Sequence, residues 1–291
     1  MSLIESEETN QFPFASFAAH PFYTHINRSL VQQALASATR PTGAKLTIVD
    51  MACGTGAITQ LIAEEIALQR RQARIIGVDP SAEALHLAQR KMEGSGATAE
   101  FIQGEADDLP HFVHHADTVF FCNAMHLLAD KLAAFRHMAA LLAPGGIFAC
   151  NSAFYKGANV EETVRFSRLW IRRAVGWLRK EHPEVHLSRE ATATAMQWLT
   201  PEEYVSLLKQ SGFGRIDVSQ EKVMLSLDGL RDLGHYWLFI EGALPGAPLS
   251  LGAAALGAAA YQAGQELGMT EVPRMWLQII ATKGSSTSNW S

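Results

Sequence analysis

The chain has 291 residues, 48% of them hydrophobic, enough to fill the core of one large α/β domain with insertions or of two small domains. Its 24 Lys plus Arg stand against 29 Asp plus Glu, so no basic field is available to neutralise a row of phosphates, and a nucleic-acid partner is not expected. No pair among Cys53, Cys122 and Cys150 has metal-ligand or redox spacing, which reads as reduced thiols in a cytoplasmic protein.

In chain order, the opening MSLIESEETNQF is acidic and lacks the basic-then-apolar layout of a signal peptide; it reads as a frayed end. FPFASFAAHPFYTHINRSLVQQAL follows, dense in aromatics at Phe12, Phe14, Phe17, Phe22 and Tyr23. Residues 1–44 are read as a helical N-terminal cover, either packed on a sheet edge or closing over bound ligands to exclude water.

From residue 45, short apolar runs alternate with helical ones: LTIVD, AITQLIAEEIALQR, ARIIGVD, SAEALHLAQRKM, AEFIQG, DTVFFCN, AAFRHMAALLA, GIFACNS. Such alternation implies a doubly wound, mostly parallel sheet covered on both faces, with ligands at the carboxyl ends of its strands near the switch point. This core spans 45–155. Two helical insertions follow it, a cap at 156–200 and a lid at 222–274 that contains the Ala-rich run 247–263. That run is too weakly apolar to span a bilayer, so no membrane partner is expected. Between the insertions, 201–221 forms a core helix and strand: Thr200 is an N-cap, Pro201 opens the first turn and Gly212 stops the helix. MWLQIIATK (275–283) is the last strand, and 284–291 reads as a disordered tail.

TIVDMACGTGAIT (47–59) resembles a dinucleotide loop, yet where G-x-G-x-x-G needs its third glycine the chain has Thr59. That weakens a nicotinamide-dependent oxidoreductase reading. What remains is a strand ending at Asp50, a loop in which Gly54 and Gly56 let backbone approach a ligand, and a helix starting near Ala57 whose amides favour a negative group. Asp79 ends the next strand in IIGVDPS, where a carboxylate can accept both hydroxyls of a ribose or cap the helix after Ser81. In GEADDLP, Glu105 can accept from an exocyclic amine and the Ala106 amide can donate to a ring nitrogen. Together these would read an adenosine.

With DMACGTG (50–56), GVDPS (77–81), GEADDLP (104–110), ADTVFFCNAMH (116–126) and LLAPGG (141–146) in register, the chain resembles the class I S-adenosylmethionine-dependent methyltransferases. The resemblance implies a seven-stranded Rossmann-like sheet and S-adenosylmethionine as cofactor, with S-adenosylhomocysteine as product. It implies that Asp50 and the loop at Ala52, Cys53, Gly54 and Gly56 hold the methionine end. Asp79 would then take the ribose, Pro80 a face of the adenine, Glu105 and Ala106 its edge, and Asn123 would lie beside the methionine amino group. Ala52 stands where the family commonly has Gly, and Glu105 where it commonly has Asp.

A sulfonium methyl is already activated, so the enzyme's main task is to align a nucleophile in a dry pocket. A hydroxyl acceptor often needs a base. His126 is the first candidate, with His235 second; either is otherwise a structural histidine. The acceptor pocket is assigned to Phe14, Phe17, Tyr23, His126, Tyr155, Trp170, His235 and Tyr236. His111, His114 and His115 have no matching carboxylate motif, and no metal is expected. Arg165, Arg168, Arg172 and Arg179 share one face of the helix 161–180, either solvated or receptive to an acidic substrate. The apolar insertions favour a small hydrophobic or aromatic acceptor, with O-methylation ahead of N or C. The alternatives are a non-catalytic cofactor-binding protein and a methyltransferase acting on RNA or protein. A monomer or homodimer is expected.

Overall fold

A computed structural model describes residues 14–38, 44–95, 98–105, 108, 113, 115–188 and 198–284. The expected frayed start, most of the tail, and Ala106, His111 and His114 lie outside the described residues. The chain forms two compact units: a core unit of Thr24–Tyr155, Leu199–Gln220 and Leu277–Ser291, and a helical unit of Met1–Tyr23, Lys156–Trp198 and Glu221–Trp276.

The sheet has seven strands: β1 (Leu46–Met51), β2 (Ala73–Asp79), β3 (Glu100–Gln103), β4 (Ala116–Cys122), β5 (Leu142–Ser152), β6 (Phe213–Ser226) and β7 (Glu271–Lys283). Their order is β3-β2-β1-β4-β5-β7-β6. The pairs β1–β2, β1–β4, β2–β3 and β4–β5 are parallel, and β5–β7 is antiparallel. All seven residues of β4 are buried, as a central parallel strand covered on both faces requires. Asp117, one of its polar members, accepts the Thr47 amide at 2.8 Å, fixing the start of β1. The order reverses between β1 and β4, so the switch point lies where the glycine loop leaves β1.

Helices α3 (Ala57–Leu68), α4 (Ala82–Ser95) and α5 (Lys131–Leu141) connect these strands, and α7 (Pro201–Gln210) leads into β6. Thr200 caps α7 in a reciprocal pair with Glu203, Pro201 occupies its first turn, and Gly212 turns the chain at φ 92°. The element bounds depart from the sequence reading at both strands that flank the second insertion. β6 runs on to Ser226 because Val223 and Leu225 are buried while Lys222 and Met224 face out, a period-2 pattern hidden by its charges. β7 begins at Glu271; Pro273 within it masked the run, since Pro cannot donate to a ladder.

The helical unit contains α1 (Ala15–Ala18), the start of α2 (Pro21–Ser37), α6 (Glu161–Glu181), α8 (Leu227–Leu233), α9 (Trp237–Ala243) and α10 (Leu249–Leu267). On α6, Phe166, Leu169, Trp170, Ala174 and Leu178 are buried and the four arginines of the stripe are exposed. α10 presents Gly252, Ala255, Gly257 and Ala259 to its neighbours; a Cβ on Gly252 would stand 2.3 Å from Ile240 Cγ2, so the small residues set how closely α9 and α10 approach. Among the described residues no helix is long and apolar enough to cross a membrane.

Candidate functional site

Four loops of the core unit leave the carboxyl ends of β1, β2, β3 and β4. After β1, Ala52, Gly54 and Gly56 have φ of 55°, 51° and 76°. Within this left-handed series the Cys53 amide donates to the Val78 carbonyl and the Gly56 amide to the Cys53 carbonyl. A Cβ on Gly54 would meet nothing within 4 Å, whereas one on Gly56 would press on Ala88 of α4 at 3.0 Å. Gly54 therefore leaves an open cradle, and Gly56 is needed both for its φ and for the approach of a helix. Ala52 holds the same left-handed conformation with a methyl, at a cost of roughly 1–2 kcal/mol.

Asp50 lies beneath this loop, 1% exposed. Its Oδ2 accepts the Thr59 hydroxyl at 2.6 Å, while Oδ1 is buried with no partner in hydrogen-bond geometry among the described residues. Burial pushes the carboxyl up to about 7; the Thr59 hydroxyl and, more weakly, its backbone N–H pull it down, and the nearby Asp79 charge pushes it further up. Cys53, buried beside both carboxylates, has its thiol pushed well above the usual range, by burial first and then by Asp50 and Asp79. It is an inert wall of the loop.

Asp79 ties two loops together. Its Oδ2 accepts the Gly54 amide at 2.8 Å and its Oδ1 the Ser81 amide at 3.0 Å. Ser81 itself supplies the cap of α4, accepting the Ala84 amide, so the capping role open in the sequence falls to Ser81. Pro80 is exposed next to Asp79, and its carbonyl accepts from Gln103. Glu105 is exposed, and its amide donates to Asp108 Oδ2 at 2.9 Å. Asp108, quoted in the sequence without a role, is the partner that holds the Glu105 backbone in this third loop.

Past β4, Asn123 sits at φ 56° with its amide donating to the Asn151 carbonyl at 2.9 Å. Asn151 in turn donates to Asn27 Oδ1 at 2.8 Å. This buried amide chain fixes the end of β4, and no local spacing announced it. His126 follows in a 3₁₀ turn, Met125–Leu127, 5% exposed, its ring 4.5 Å from that of Phe154. Tyr155 is fully buried and donates to Gln220 Oε1 at 2.8 Å.

Within the helical unit, Phe14 packs against Phe17, Tyr23 and Tyr236. Phe17 and Tyr23 are buried, and Phe14 and Tyr236 half-buried. Trp170 is built into that unit's own core, its indole donating to the Leu256 carbonyl at 2.7 Å and its ring stacked on Phe239. His235 and Tyr236 stand in the turn between α8 and α9, not on a helix. His235 Nε2 lies 3.2 Å from where a Cβ on Gly257 would be, so its ring rests on α10.

The donor set of the core unit fits S-adenosylmethionine. Two carboxylates, one with a buried unpartnered oxygen, suit a ligand bearing a sulfonium and an ammonium. The open cradle at Gly54 suits close backbone contact, and about four acceptor positions per carboxylate let Asp79 hold two amides without being exhausted. Asp50, Asp79, Gly54 and Asn123 are the residues that would hold it.

Residues 48–146 match the family model of a methyltransferase domain. The ubiquinone biosynthesis O-methyltransferase of Cereibacter sphaeroides is 26% identical over 59% of this chain and 62% of its own length. The 2-phytyl-1,4-naphtoquinone methyltransferase of Thermosynechococcus vestitus is 26% identical over 60% of this chain and 75% of its own. The chain thus spans less than two thirds of the first of these relatives. In fold, phosphoethanolamine N-methyltransferase 2 of Haemonchus contortus, solved with phosphomonomethylethanolamine and S-adenosylhomocysteine, superposes with a TM-score of 0.56 at 14% identity, covering 96% of this chain and 58% of its own.

Proposed function

We propose that this chain, a class I S-adenosylmethionine-dependent methyltransferase, carries the methyl group to a small, apolar, ring-bearing acceptor of quinol type, with an oxygen of the ring as nucleophile. The observation that carries the cofactor part of the reading is that a loop of left-handed residues is held by Asp79 through the Gly54 amide and adjoins a buried Asp50 bound by Thr59. The names of the two relatives, one an O-methyltransferase of ubiquinone biosynthesis and one a 2-phytyl-1,4-naphtoquinone methyltransferase, support the acceptor class.

When bound, the cofactor supplies an electrophilic methyl on a cationic sulfur. The protein's part is to hold both reactants in line and keep water out, a positioning effect that reaches about 7–11 kcal/mol in well-oriented systems. A phenolic oxygen must also lose a proton. We assign that proton to His126, three residues past Asn123 and held against Phe154.

The test is incubation with methyl-labelled S-adenosylmethionine and a panel of a hydroxylated quinol, its unhydroxylated counterpart, an amine, a peptide and an RNA. Label in a ring methoxy group is expected. Label on the peptide or RNA alone, or on none of the ring compounds, overturns the reading.

A further inference from the structure

The position where a dinucleotide loop would carry its third glycine is put to use here by a side chain. Thr59 lies in the first turn of α3, completely buried, and donates its hydroxyl to Asp50 Oδ2 at 2.6 Å. A glycine close to a helix is supplied by Gly56, whose missing Cβ lets Ala88 of α4 approach the loop. Its bond fixes one carboxylate oxygen of Asp50 on the helix side and leaves Oδ1, buried and unpartnered among the described residues, as the oxygen left for a ligand.

We propose that Thr59 is a positioning residue for the cofactor: its hydroxyl fixes Oδ2 of Asp50, so that Oδ1 is presented to the ammonium group of the methionine end. The inference rests on the cofactor reading of the loop given above. Besides Thr59, the group that acts on Asp50 is Asp79 at the end of β2, while Asp50 itself acts on Cys53 in the loop and Cys122 on β4. Asp79 repels a second negative charge, and the two thiols are kept neutral by burial. Thr59 is the neighbour that favours the charged form, through its hydroxyl first and its backbone N–H second. Removing the hydroxyl removes the larger of these two contributions.

The test is calorimetric titration with S-adenosylmethionine alone across pH 6 to 9, for the wild type, Thr59→Val, Thr59→Ser and Asp50→Asn. In the wild type, affinity should rise with pH through about 7 as Asp50 ionises. Thr59→Val, nearly equal in volume, should bind about tenfold to a hundredfold more weakly near pH 7.5, the span expected for a hydrogen bond to a charged group. Its pH midpoint should move upward, and Thr59→Ser should restore both values.

Unchanged affinity and midpoint in Thr59→Val overturn the inference. So does equal weakening at every pH with an unmoved midpoint, which would mean that Thr59 only supports the fold. Asp50→Asn separates the two levels of argument. If it binds as the wild type does, the cofactor reading of Asp50 fails; if it loses affinity and pH dependence while Thr59→Val keeps both, only the role of Thr59 fails.

Discussion

The carboxylate of Asp79 holds the amide of Gly54 at 2.8 Å, so the loop after β1 is shaped by a side chain at the end of β2. The same carboxylate accepts from Ser81 at 3.0 Å, which makes Asp79 both an organiser of the cradle and the assigned ribose acceptor. Asp79→Ala should therefore weaken S-adenosylmethionine binding by at least the value of one charged hydrogen bond, about tenfold to a hundredfold. Calorimetry measures this directly. Unchanged affinity would remove Asp79 from the site.

Asp50 links pH to stability in a definite direction. Its folded value of about 7 lies above the ordinary 3.8, so between those two pH values the folded state binds a proton that the unfolded state has released. The stabilisation is present below pH 3.8 and lost as pH rises toward 7, by an amount on the order of 4 kcal/mol. Urea unfolding of the ligand-free protein should show it as a falling midpoint over that range, relative to Asp50→Asn. On the proposed role of Asp50, cofactor binding uses the ionised form and should show the opposite slope. A wild-type profile parallel to that of Asp50→Asn would mean that Asp50 is not perturbed.

His126 carries the proton assignment. Replacing it by Ala should lower kcat for a hydroxylated quinol by roughly a hundredfold to ten-thousandfold, the usual contribution of a positioned base. Cofactor affinity should stay within a few fold, because the assigned cofactor contacts lie on other residues. Kinetics with saturating cofactor decide the matter, and a kcat close to that of the wild type would leave His126 as packing against Phe154.

Much of the core was legible because its signals are local. Strand, glycine loop and helix follow one another within TIVDMACGTGAIT, and the cap at Thr200 is a contact over three residues. Asp79 and Asn123 were readable as strand ends for the same reason. The contacts that shape the site were not, because they join distant segments: Asp79 to Gly54, and Asn151 to Asn27 across 124 residues. Thr59 was visible only as a missing glycine, since its partner sits in the preceding strand. In the helical unit, aromatic residues marked the apolar surface without saying which would be closed. Trp170 is committed to the Leu256 carbonyl, a pairing that only the packing of α6 on α10 reveals.

Amide hydrogen exchange with and without S-adenosylmethionine tests the location of the cofactor site in the unmutated protein. Binding at the carboxyl ends of β1, β2 and β4 should slow exchange in 50–56, 77–81 and 123–126 together. Protection confined to other segments, or none at saturating cofactor, would contradict the account.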